Sequence, residues 1–465
     1  MENKSNFNEG LCKVQQKKTG FSGKLGFVLA ASGSAVGLGN LWRFPYLVAQ
    51  YGGGAFILCY VLLAVFFGIV LLMLEIGIGR HTGKSVVGAF PALNKKFKWF
   101  GYLSIVAPLL IVPYYCVIGG WVVKYACSFI IGSEGLVGAS STEMTSTFFK
   151  NFVSSDIAPL IFFLIFAFIT ILIVSFGVKD GIEKMSKILM PALAILAVFL
   201  MVYVLCQKNS SLGLEYVFVP KLEDLNFNTL LAALGQLFYS MSIGMCILIT
   251  YGSYMKKDVS IKSSATQIAV FDSAFAFVAS IIIITAVFAF GAGESALGED
   301  GPALMFIQLT NVFNAIPAGR IIAIVFFVLV LFAAVTSSVS LVEAIVAVLT
   351  ENGKIKRITA CFIVFGVILV LGSLSSLGFG VLKDVKIFNM NILSTFDFLA
   401  NNILIPIIAI ITCVFAGWCI DKHIIPKEIG IDKNKTLNIY FNVIIRYVAP
   451  ICIFVILVSG LFLSL

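Results

Sequence analysis

Eleven apolar stretches run through this chain almost end to end, at residues 24–48, 55–78, 102–131, 157–177, 185–206, 229–253, 266–292, 320–350, 358–377, 398–419 and 439–463. Each is long enough to cross the ~30 Å hydrocarbon core of a bilayer as a helix, which takes about 20 residues. No water is available there, so every backbone N–H and C=O must find a partner within the protein, and the admissible fold is an all-α polytopic bundle. Composition agrees: 60% of residues are hydrophobic and 12% charged, against roughly a quarter charged in soluble domains.

Lysine and arginine orient the bundle. Most of the 32 lie in the N-terminal tail and in five alternate loops, those beginning "GRHTGK", "VKDGIEK", "MKKD", "GKIKR" and "DKHIIPK". The positive-inside rule makes that side cytoplasmic, and eleven crossings then place the C-terminus outside. The expected organisation is a cytoplasmic segment, 1–23, and one transmembrane domain, 24–465, in the cell membrane with the bilayer as its partner. The tail "MENKSNFNEGLCKVQQKKTG" has no apolar core followed by a cleavage site, so no signal peptide is expected. The net charge of +9 is spread over short loops without a dense basic patch, which speaks against a nucleic-acid partner. Ten scattered cysteines with no CxxC argue against a disulfide framework or metal centre. Two histidines, and no P-loop, HExxH or GxSxG in a suitable context, exclude ATP hydrolysis and disfavour an enzyme.

One segment resists the helical reading. "GSAVGLGNLWRFPY", Gly33 to Tyr46, puts three glycines, an asparagine, an arginine and a proline inside the first span. Irregular backbone at membrane depth survives only where protein buries it or where it lines a cavity. Freed carbonyls of Gly33, Ala35 and Val36 offer oxygens to a hard cation, and amides around Leu38 and Gly39 face an anion at a half-helix N-terminus. A kink absorbed by packing is the alternative. Five spans later the sixth carries "FYSMSIGM", Phe238 to Met245. Ser240 and Ser242 there either bond back to their own helix or mark a second break. Paired interruptions in two five-helix halves are the sequence pattern of an inverted-repeat transporter with a midplane site.

The stretches "GSAVGLGNLWRFPY", "YGGGAF", "GRHTGK", "YYCVIGGW", "KDGIEKMSKILMP", "AVTSSVSLVEA" and "FDFLANNILIP" resemble, in order and spacing, the neurotransmitter:sodium symporter family, from about Lys18 onward. The resemblance implies the leucine-transporter fold, with helices 1–5 and 6–10 as inverted repeats and helices 1 and 6 broken. It also implies uptake of an amino acid with sodium, and the eleven-helix length is similar to the shorter bacterial branch. No obligatory protein partner is implied.

Carried over residue by residue, the resemblance implies two sodium sites. One uses the carbonyls of Gly33, Val36 and Ala333 with the hydroxyls of Thr336 and Ser337. The other uses Ala35, Asn40, Ser240, Asp272 and the substrate carboxylate. Neutral oxygens with few carboxylates suit sodium better than calcium. Asp272 stands where many members have asparagine, close to their chloride site, so transport is expected to be chloride-independent. For the substrate, the implied neighbours are Ser34, Ala35, Gly37, Leu38, Gly39, Ile111, Tyr115, Tyr239, Ser240, Ser242, Met245, Ser337 and Leu341. Their apolar share, and an adaptable thioether at Met245, favour a hydrophobic or aromatic L-amino acid.

The resemblance also pairs Arg43 with Asp397 as an outer gate under a lid of Tyr115 and Tyr239. On the inner side Lys18 and Phe21 replace the usual arginine and tryptophan, with Glu351 as acidic partner, and lysine lacks arginine's bidentate fork. Gly181 and Pro191 match the motif at which helix 5 unwinds, where proline removes a helix hydrogen bond. Glu75 and Glu343, also intramembrane acids, are expected to serve structural hydrogen bonds. Two rivals stay open: a proton-coupled transporter using Asp272 or Glu343, and an ion channel.

Overall fold

A computed structural model of the protein describes residues 20–289 and 304–463, which are helical almost throughout. In chain order the main helices are α1 (Lys24–Ala35), α2 (Gly39–Gln50), α3 (Gly54–Thr82), α4 (Lys95–Ile131), α5 (Ala158–Ser175), α6 (Val178–Leu205), α7 (Phe227–Ser240), α8 (Ile247–Ser253), α9 (Ile261–Ala289), α10 (Gly319–Thr350), α11 (Arg357–Leu377), α12 (Ile392–Cys419), α13 (Ile424–Ile429) and α14 (Lys435–Leu461). Among the described residues nine are singly long and apolar enough to cross a membrane, and α1 with α2 forms a tenth span bent by 53°. The expected sixth span is α7 and α8, separated by residues 241–246.

Both breaks have local causes. The first helix stops because Val36 turns extended, φ −75° and ψ 95°, after its amide has closed the last turn on Ser32 O at 2.7 Å. Asn40 then replaces lost backbone bonding: its Oδ1 accepts from Gly37 N at 3.1 Å. In the second break Ser242, Gly244 and Cys246 all take positive φ, at 55°, 78° and 66°. Glycine adopts that region freely, whereas serine and cysteine there carry strain that the surroundings must impose. Glu75 on α3 supplies part of that support by accepting from Gly244 N at 2.7 Å.

Around the breaks, α4 and α10 pack together at the centre, α10 also meets α1 and α6, α9 lies against α1 and α3, and α3 backs both α7 and α8. The rim is different. Ile439, Ile451 and Phe454 on α14 are largely exposed, as a helix facing lipid requires.

At the end carrying the basic loops, ionic contacts close the molecule. Glu428 on α13 meets Arg80 at 2.6 Å, Lys257 at 2.7 Å and His81 at 3.3 Å. Burial alone would raise the Glu428 carboxyl, but hydrogen bonds and charge from Lys257 and Arg80 outweigh it and hold the group below the usual glutamate range.

Candidate functional site

The two breaks face each other. Ser242 Oγ donates to Ser34 O at 3.2 Å, and Ser337 Oγ on α10 donates to the same carbonyl at 3.1 Å. Between them lies a cavity of about 30 Å³, and every residue assigned to the substrate from the sequence lines it, together with Ile247, which the sequence analysis missed. Leu38 N donates to Tyr115 Oη at 3.4 Å across its mouth. Glycine is required at two positions here: a Cβ on Gly37 would stand 2.5 Å from Ser337 Oγ, and one on Gly39 would stand 2.5 Å from the Tyr239 ring.

Two oxygen clusters flank the cavity. In the first, Ser337 Oγ lies 3.2 Å from Gly33 O and 3.3 Å from Val36 O, while Thr336 Oγ1 donates to Ala333 O at 3.0 Å. Ser337 Oγ thus gathers carbonyls from the first break, and the Thr336 and Ala333 oxygens pair in the adjoining turn of α10, without a carboxylate among them. In the second cluster the Asp272 carboxylate accepts from Ser240 Oγ at 2.7 Å, from Tyr60 Oη at 2.7 Å and from Asn40 Nδ2 at 2.8 Å. Asn40 Nδ2 also donates to Ser240 Oγ at 3.1 Å. That N–H group lies between carboxylate and hydroxyl, and the orientation of the amide is fixed from its other end by the bond from Gly37 N to Oδ1.

On the side opposite the basic loops, a larger cavity of about 310 Å³ opens above Tyr239 and is lined by Arg43, Asn401, Asn402 and Pro406. Here the structure departs from the expected gate. No ion pair within 4.0 Å joins Arg43 to Asp397. The guanidinium stacks on the Tyr239 ring, 5.0 Å from its centroid, and Asp397 accepts from Asn401 Nδ2 at 2.7 Å. That amide also donates to Tyr114 Oη at 3.1 Å. The Tyr239 ring draws one partner aside and Asn401 the other.

Toward the basic loops the packing is tight. Phe21 is buried edge-on against Phe27, Tyr251 and Tyr254, with centroids 5.6, 5.4 and 6.4 Å away. Lys18 lies outside the described residues. Glu351 accepts from Ser85 Oγ, and the acid that grips the start of the chain is Glu183. It accepts from Ser22 N at 2.8 Å and from Ser22 Oγ, and pairs with Lys187 at 2.6 Å. Lys256 Nζ donates to Ser22 O at 2.6 Å. Deeper in, Glu343 accepts from Tyr254 Oη at 2.8 Å and forms an ion pair with Arg357. Gly181 sits in the π turn Val178–Glu183, where a Cβ would meet Ile173 O at 2.2 Å, and α6 is wound through Pro191.

Tyr60, Gln236 and Glu183 were not assigned from the sequence. Gln236 Nε2 donates to Gly39 O at 3.2 Å and so braces the first break from α7. Glu183 was visible only as a letter in "KDGIEK", and nothing in spacing links it to Ser22, a partner 161 residues away.

A model of the sodium:neurotransmitter symporter family matches residues 18–134 and 153–464. An uncharacterized sodium-dependent transporter of Bacillus subtilis, YhdH, is 33% identical over 449 residues, covering 96% of this chain and 98% of that protein. A sodium-dependent transporter of Haemophilus influenzae is 31% identical over 459 residues, covering 96% and 99%. The crystal structure of MhsT in complex with L-phenylalanine superposes with a TM-score of 0.85 at 37% identity, covering 95% of this chain and all of that one. Nearly the whole chain is accounted for by such relatives, and the protein belongs to the sodium:neurotransmitter symporter family, a family of sodium-coupled membrane transporters rather than enzymes.

Proposed function

We propose that the protein imports a hydrophobic or aromatic L-amino acid together with two sodium ions, by alternating access and without chloride. The observation that carries this reading is the pair of helix breaks converging on one cavity between two oxygen clusters. Amides of Leu38 and Gly39 and the Tyr115 hydroxyl hold the substrate carboxylate, and carbonyls of the α7–α8 break hold its ammonium group. Ile111, Met245, Ile247 and Leu341 supply an apolar wall for the side chain. The phenylalanine bound by MhsT supports that substrate class.

Sodium adds a further tie between elements that side-chain hydrogen bonds already join: α1 to α10 at one cluster, and the first break to α7 and α9 at the other. Asp272 brings a fixed negative charge to the second, which removes the need for an anion. With the basic loops and N-terminus in the cytoplasm, one Na⁺ entering down a tenfold gradient releases about 1.4 kcal/mol. Each 100 mV of inward-negative potential adds ~2.3 kcal/mol per charge.

The test is uptake of labelled amino acids into proteoliposomes under an imposed sodium gradient, with chloride or gluconate as the anion. Saturable uptake that requires sodium and survives gluconate is expected, with aromatic and branched side chains competing best. Strict chloride dependence, or equal uptake driven by protons alone, overturns the reading. Replacing Asp272→Asn is expected to impair transport or render it anion-dependent.

A further inference from the structure

An arginine lies in the last membrane helix, far from the cavity, and neither the transport site nor the gates use it. Arg446 falls within the π turn Ile444–Val448 of α14, against the π turn Phe415–Cys419 of α12. Such turns often mark functional positions because they displace one side chain from the regular helical ladder. Here the displaced stem crosses α12 at Gly417, where a Cβ would stand 2.8 Å from Arg446 Cγ. The guanidinium lies over the Trp418 ring, 5.7 Å from its centroid. Trp418 Nε1 donates to Arg446 O at 3.4 Å, and Tyr447 packs edge-on against the same indole at 5.6 Å.

What this group lacks is a counter-charge. Among the described residues no carboxylate lies within 4.0 Å of Arg446 and no acceptor reaches its nitrogens, and Nε is buried without a partner. Yet the surroundings face lipid: Trp418 on α12 is 58% and Tyr447 on α14 51% exposed, and the open positions of α14 from Ile439 onward are otherwise Ile, Val and Phe. An unpaired cation on such a surface is costly and by default signals a partner from outside the chain. The depth fits a headgroup. Trp418 is at the end of α12, next to the loop 420–434 with exposed Lys422 and Lys433, and α14 opens with exposed Lys435. Over residues 420–435 the four lysines, Lys422, Lys427, Lys433 and Lys435, outnumber Asp421, Glu428 and Asp432 by one.

We propose that Arg446, Trp418 and Tyr447 form a binding site for the phosphate of an anionic phospholipid in the leaflet beside the basic loops. The guanidinium fork takes two phosphate oxygens, and the indole and phenol rings sit at headgroup level as interfacial aromatics do. Gly417 keeps the arginine stem low enough for its head to reach the surface.

The experiment uses the full chain, purified in detergent and stripped of lipid, then given phosphatidylglycerol, phosphatidylcholine or inorganic phosphate. Native mass spectrometry counts retained lipid, and thermal unfolding reports the stabilisation. Phosphatidylglycerol is expected to be retained about fivefold better than phosphatidylcholine, the ratio that one basic residue near an anionic surface supplies. Arg446→Gln should erase that preference. Arg446→Lys, which keeps the charge and the fold but not the fork, should retain an intermediate preference. Gly417→Ala, whose Cβ displaces the arginine stem, should weaken retention although the charge is unchanged. An unchanged preference in Arg446→Gln overturns the proposal, as does equal retention of the two lipids by the parent. Stabilisation by inorganic phosphate as large as that by phosphatidylglycerol overturns it too, because the site then reads a free anion rather than a lipid.

Discussion

The two sides of the central cavity are sealed by different physics. On the outer side, one ring, Tyr239, separates the small cavity from the larger one, with Arg43 stacked on it and Asp397 turned to Asn401. On the inner side Glu183, Glu343 and Glu428 each join two or more chain segments through charged hydrogen bonds, over a plug of Phe21 and two tyrosines. A stacked ring is released by small rotations, whereas charged, partly buried bonds must be broken together. The difference teaches that this conformation is fastened at the end carrying the basic loops and merely covered at the other.

The strongest way to break that comparison is at the buried pair. Arg357→Ala strands the Glu343 carboxylate inside the protein, and such a loss costs about 3–5 kcal/mol. Unfolding in detergent should show that loss, and Arg357→Ala combined with Glu343→Gln should recover much of it. Additive losses would mean that the two groups do not depend on each other.

Next in size is the oxygen cluster between α1 and α10. Sodium at a hundred times its dissociation constant should stabilise the parent by ~2.7 kcal/mol. Thr336→Val with Ser337→Ala should remove most of that gain, whatever happens to basal stability. A full sodium response in the double variant would take these hydroxyls out of the site.

Glu183→Gln sharpens the comparison from the inner side. Hydrogen bonds to a charged group contribute about 1.5–3 kcal/mol, so a single cysteine placed behind Phe21 should label roughly tenfold faster or more. Unchanged labelling would reduce Glu183 to packing. Arg43→Ala is the counterpart on the outer side, and its expected stability change is under ~1 kcal/mol, because only a cation–π contact is lost. A loss of several kcal/mol would reveal an ion pair with Asp397 in the resting protein.

The smallest effect concerns acid. Glu428 has its folded carboxyl held below the unfolded value by Lys257 and Arg80 despite burial. Its contribution is therefore fully present above the unfolded pKa of about 4.3 and is lost as pH falls through the lower, folded value. Glu428→Gln should be less stable than the parent at pH 7, and the gap should close toward pH 3. A gap that stays constant would detach Glu428 from the acid response.

Much of this was legible in the sequence because membrane folding leaves few options. Length and apolarity gave the spans, and Gly33, Gly37, Gly39 and Asn40 gave the first break, since no packed helix needs that set at that depth. The lining of the small cavity followed through family resemblance, with Ile247 the residue it passed over, two residues beyond Met245 at the start of α8 and carrying no chemical mark. Partnerships were harder. That Asn401 takes Asp397 while Tyr239 takes Arg43 depends on side-chain angles, and opposite charges at the right depth do not decide them. Glu183 illustrates the same limit: its partner Ser22 is one of many serines, and only the fold brings them together.

The first break has a consequence for how the protein is made. Asn40 is bonded to groups 200 and 232 residues further along the chain, and Ser337 reaches the carbonyl of Gly33 across 304. At ~5–20 residues per second, the ribosome needs roughly 15–60 s after Gly33 before the last of those partners exists. For that interval Asn40 and Tyr115 can serve the break locally, but the groups that hold it from α7, α9 and α10 are missing. The first break can therefore be fastened in full only once α10 has been made, because Gly33 and Asn40 wait on partners from α7, α9 and α10.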